Sequence, residues 1–80
     1  MNDGDVYQTK DLYESALLAA SNLKLIKLVK ETDFYWFVFD NKTRAEELSS
    51  KFWQGEALVN AKAYAESIRG LKNRIFARRG

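Results

Sequence analysis

The chain contains no cysteine and no histidine. Those two absences remove a disulfide scaffold, a thiolate zinc site, a thiol nucleophile and an imidazole base. Proline is absent as well, so element ends must be read from caps, glycines and periodicity. No apolar run approaches the roughly 18 residues of a membrane span, and the acidic N-terminus is the wrong start for a signal peptide. There is no glycine-rich phosphate loop, no paired-carboxylate spacing and no nucleophilic serine motif. The expectation is a cytoplasmic, non-enzymatic module with no membrane, metal or cofactor requirement.

What is present is a small core and a good deal of charge. Of 80 residues, 46% are hydrophobic and 14% aromatic, enough to exclude disorder. One domain over residues 1–80 is expected, with 1–5 and 78–80 frayed. A chain this short buries only about 60% of its unfolded surface, so its rings must carry much of the packing.

Thr9 fits a helix N-cap, with Asp11 and Glu14 suited to the positive end of the helix dipole. Leu12, Ala16, Ala19, Ala20 and Leu23 then share one helical face, and the expected helix runs from about Lys10 to Ser21. Asn22 suits a left-handed stop. Residues 23–31 fit neither strict alternation nor a single helical face. The stop at Asn22 and the turn residues Thr32 and Asp33 favour a strand there. Phe34–Phe39, aromatic and β-branched, is the clearest strand of the chain.

Thr43 and Glu46 have capping-box spacing, Gly55 ends the helix they open, and Asn60 caps a last helix from Ala61 to about Ala77. Trp53, beside Phe52, is expected in the core. Gly70 lies inside the last helix, where close packing would justify it. The fold class is therefore α+β: a two-layer domain in which three helices pack on an antiparallel hairpin, with residues 5–8 a candidate third strand, in the order (β)αββαα.

Charge is uneven. Residues 1–22 hold one lysine against four acids, and residues 55–80 hold six basic residues against two acids. Arg69, Lys72, Arg74, Arg78 and Arg79 follow one another with no acid between them. Such a cluster suits a nucleic-acid phosphate backbone. Cations that complement a helix C-terminus and run into a solvated tail are the other reading. Lys24 and Lys30 share one strand face and Lys27 the other, a pattern that guards an edge strand.

The aromatic strand presents two rows, Phe34, Trp36 and Val38 on one side and Tyr35, Phe37 and Phe39 on the other. A sheet covered on one side needs only one row for its core. We take Tyr35, Phe37 and Phe39 as the candidate exposed aromatic surface, suited to stacking bases or docking a protein.

Several stretches in order resemble one known family. They are Tyr7-Gln8-Thr9-Lys10-Asp11-Leu12, an Ala/Leu-rich helix, Phe37-Val38-Phe39-Asp40, Phe52-Trp53-Gln54-Gly55 and Arg69-Gly70-Leu71-Lys72. The series is similar to DUF5659, a bacterial and phage domain of unknown function. That resemblance implies a stand-alone domain of about this length and supplies no activity and no catalytic residues. The chain departs from the pattern at Asn22, where a glycine is common, and at Phe52, where a tyrosine often precedes the tryptophan. Two partner classes remain open: nucleic acid, through the basic C-terminal helix, and a protein partner or second copy, through an aromatic surface.

Overall fold

The computed structural model describes residues 5–79. The stretch expected to fray at 1–4, together with Gly80 and the Arg79 side chain, lies outside the described part. The elements are β1 (Val6–Thr9), α1 (Leu12–Ala20), β2 (Leu25–Lys30), β3 (Tyr35–Asp40), α2 (Lys42–Trp53) and α3 (Ala61–Arg79). The candidate third strand is formed, and the sheet order is β1-β3-β2 with both pairings antiparallel. The fold is thus α+β with the element order βαββαα.

The aromatic strand β3 takes the central place, the position that best rewards bulky and β-branched side chains. Its row Phe37 and Phe39 is sealed against Ala16, Leu17 and Leu18 of α1, Ala45 and Leu48 of α2 and Leu71 of α3. Tyr35, half-buried, packs against the same cluster. The exposed aromatic surface expected at Tyr35, Phe37 and Phe39 is therefore the core face. All three helices cover that side, and Phe34, Trp36 and Val38 belong to the other.

A β-bulge explains why residues 23–31 matched no simple pattern. Leu25 pairs with Phe39, Lys27 with Val38 and Leu28 with Phe37, so β2 advances two residues where β3 advances one. The extra residue shifts the phase of the strand. Leu25 and Leu28 consequently both reach the core, while Ile26 remains 43% exposed. The same shift changes the lysine pattern. By alternation Lys24 now shares the open face with Lys27, and Lys30, paired with Tyr35, falls on the helix side.

Both helix stops anticipated from the sequence have one geometry. Asn22 (φ 72°) and Gly55 (φ 77°) are left-handed. Leu23 N donates to Leu18 O and Asn22 N to Ala19 O, and Glu56 N donates to Lys51 O and Gly55 N to Phe52 O. These are Schellman closures that satisfy the last carbonyls. Asn60 caps α3 as expected, its Oδ1 accepting from Ala63 N at 2.9 Å.

The two other caps differ. Strand pairing extends through Thr9 opposite Phe37, so α1 starts later and Asp11 is its cap, accepting from Glu14 N at 2.8 Å. Left-handed Asn41 turns the chain directly after β3 and caps α2 through Arg44 N at 3.2 Å. Thr43 and Glu46 are displaced by two positions and form no capping box. At the far end of α2, Phe52 packs on the core and Trp53 does not. Trp53 is 62% exposed, set edge-to-face on Phe52 with centroids 4.9 Å apart. Two adjacent residues on a helix cannot share a face, and the shorter ring took the inward place.

Gly70 is exposed, and a Cβ built there meets nothing within 4 Å. The close packing expected to justify it is absent. Gly70→Ala should therefore stabilise the domain by about 0.5–1 kcal/mol. That corresponds to a Tm rise of roughly 4 °C or more in a domain this small, readable by thermal melting.

Candidate functional site

Two groups of chemistry-bearing side chains stand out, one buried and one open. The buried group surrounds Glu14, in the first turn of α1 and only 3% exposed. Thr9 Oγ1 donates to Glu14 Oε1 at 2.6 Å, Tyr7 Oη donates to Oε2 at 2.6 Å, and Ser49 Oγ also donates to Oε2. Tyr7 and Thr9 come from β1 and Ser49 from α2, so one carboxylate joins three elements. Among the described residues no cation pairs with it. A buried carboxylate is tolerable only when hydrogen-bonded, and the hydroxyls and the positive end of α1 supply that compensation. Burial first, then the hydrogen bond to Glu14, raises the Tyr7 phenol above its ordinary value of 10.0. Thr9 and Ser49 are 8% and 7% exposed, and Tyr7 is half-buried. The cluster's hydrogen bonds tie β1 of the sheet to two helices.

The sequence assigned Glu14 to the helix dipole and did not bring these four residues together. One clue was present: Ser49 falls on the α2 stripe of Ala45, Leu48 and Phe52, where a polar residue needs a buried partner.

The open group lies where α3 crosses edge strand β2. A shallow depression of about 440 Å³ is lined by Ile26, Lys27 and Leu28 from the strand and Arg74, Ala77 and Arg78 from the helix. Three of the six are cationic and none is acidic. Lys27 lines it from the sheet edge, and Arg78 Nη1 lies 3.4 Å from Leu28 O, facing an edge-strand carbonyl.

The five basic residues anticipated from the sequence are thus divided. At about 100° per residue, Arg74 and Arg78 share the flank of α3 that faces β2. Arg69 and Lys72, both exposed, fall on the other flank. Arg79 is helical in backbone, and its side chain lies outside the described part. Lys27 joins Arg74 and Arg78 only in three dimensions.

Beyond β2 lies the sheet face opposite the helices, where Phe34 and Trp36 are partly exposed. Phe34 and Trp36 meet edge-to-face there, centroids 5.3 Å apart and planes at 81°. Lys10 Nζ sits 4.9 Å from the Phe34 centroid, within cation–π range. Among the described residues, no helix is long and apolar enough to cross a membrane.

The chain belongs to the family DUF5659, a domain of unknown function, whose model matches residues 4–77. No curated protein and no solved structure matches it.

Glu14→Gln leaves one amide oxygen to face hydroxyls that now donate to two carboxylate oxygens. It should cost about 1–3 kcal/mol in denaturant unfolding. A second check uses alkaline pH. The Tyr7 phenol is held above 10.0 in the folded chain, so its contribution is complete below the unfolded value and lost as pH rises through the folded one. Tyr7→Phe should accordingly flatten the decline of stability above about pH 10, measured by urea midpoints across that range.

Proposed function

We propose that this DUF5659 chain is a non-enzymatic, cytoplasmic accessory module that binds nucleic acid through the cations of its last helix. The observation that carries this reading is the acid-free depression that Lys27, Arg74 and Arg78 line. A guanidinium offers five N–H donors in a fixed fork, so Arg78 keeps most of them available beside its contact with Leu28 O. Phosphate oxygens are the natural acceptors for such a set. Arg69 and Lys72 widen the footprint on the opposite flank. The absence of cysteine and histidine and the burial of Glu14 support a binding role over a catalytic one.

A protein-interaction reading has its own observation. Leu58 is 94% exposed and Trp53 62%, large apolar side chains of the kind that anchor protein contacts. If this surface joined two copies, Leu58→Ser would abolish concentration-dependent dimerisation in light scattering.

Anisotropy titration of labelled DNA and RNA at two salt concentrations tests the main reading. Affinity should fall steeply with salt and show little sequence preference. Arg74→Ala with Arg78→Ala should reduce the log–log salt slope by about one for each phosphate that is no longer neutralised. Arg69→Ala with Lys72→Ala, on the outer flank, should weaken binding less. Absence of binding at low salt and high micromolar protein overturns the nucleic-acid reading.

A further inference from the structure

The nucleic-acid reading, on which the following rests, leaves open what form of nucleic acid is held. We infer that the sheet face opposite the helices selects single strands, with Trp36 and Phe34 stacking unpaired bases while cations on either side hold the backbone. The helices take the row Phe37 and Phe39 into the core. In the other row Val38 is also buried, and among the described residues it is Phe34 and Trp36 that keep part of their surface in solvent. Trp36 is in the central strand, flanked across the ladder by Val29 of β2. Val38, next along the row, lies between Gln8 of β1 and Lys27 of β2. Both rings are half-buried, so each is supported by its neighbours while part of it faces solvent. Their planes are nearly perpendicular at 81°. In an edge-to-face pair one ring presents its edge and the other one face, so each ring keeps at least one face clear of its partner. Lys10 lies over a face of Phe34, which makes Trp36 the main stacking ring.

Charge decides the occupant. Lys10, directly after β1, and Lys27, in β2, stand at opposite edges of the sheet with the aromatic row between them. Lys10 already lies over a ring face, and Lys27 leads into the depression shared with Arg74 and Arg78. The acids of this side, Glu31 and Asp40, are at strand ends. A second copy laid on this face would bring its lysines towards lysines, whereas a polyanion neutralises them. Aromatic rings interleaved with cations suit a chain whose bases splay out, and a duplex keeps its bases stacked inside.

The chain has two tryptophans, so a Trp53→Phe background leaves Trp36 as the sole indole reporter. Oligothymidylate and a duplex of equal length are titrated while fluorescence and anisotropy are read together. The single strand should quench Trp36, and Trp36→Ala should weaken single-strand binding roughly tenfold while leaving duplex binding unchanged. Circular dichroism reports whether Trp36→Ala folds. Phe34→Leu provides a second, milder variant expected to act in the same direction, and Trp36→Phe should retain most of the affinity. Equal affinity for both forms with Trp36 unquenched overturns this inference. In that case a loss of both affinities in the Arg74→Ala, Arg78→Ala variant leaves the phosphate reading standing. Failure of either nucleic acid to bind at low salt overturns both.

Discussion

The arrangement of this domain depends on the one-sided burial of its central strand. Phe37 and Phe39 are almost completely sealed and contact residues from all three helices. In a chain of this size burying that row removes a large apolar area from water at once. Because side chains alternate along a strand, placing one row inward places the next outward. The outward direction of Phe34 and Trp36, which stay partly exposed, follows from the same constraint that builds the core. The bulge at Ile26 serves it too, restoring Leu25 and Leu28 to the inner face after a break in alternation.

Glu14 is the exception inside this apolar arrangement. A buried carboxylate with no cation beside it among the described residues gains little over a well-packed hydrophobic residue. Yet its three hydroxyl partners arrive from β1 and α2, and a directional contact of this kind specifies how those elements meet. Apolar packing between Ala45, Leu48 and the sheet alone would tolerate sliding. The edge strand β1 is only four residues long, so an anchor from Tyr7 and Thr9 to two helices compensates for a short ladder.

The cations show how folding redistributes a linear charge pattern. Along the chain, Arg69 to Arg79 form one basic run. The helix places Arg74 and Arg78 beside β2 and turns Arg69 and Lys72 away, while Lys27, more than forty residues earlier in the sequence, completes the acid-free depression. The result is a cationic border along one edge of an aromatic sheet face. Both proposed roles of that surface, phosphate contact and base stacking, draw on this adjacency.

Local chemistry determined what the sequence could settle by itself. Asn22, Gly55 and Asn60 fixed three helix ends because left-handed stops and side-chain caps are decided by a few neighbouring residues. The aromatic run became a strand, and the βαββαα order followed from periodicity. Membership of the family was legible in the ordered series of short motifs from Tyr7 to Phe52 and Leu71. Tertiary structure alone decided which aromatic row faced inward, because both rows are nearly equal in hydrophobicity and only the helix side distinguishes them. It also decided that Thr9 would stay in a strand instead of capping a helix, since pairing with Phe37 extended the ladder past it. Trp53 was turned out because Phe52 already filled the inward position. The Glu14 cluster and the joining of Lys27 to Arg74 and Arg78 arise from contacts distant in sequence, and no local propensity encodes such contacts.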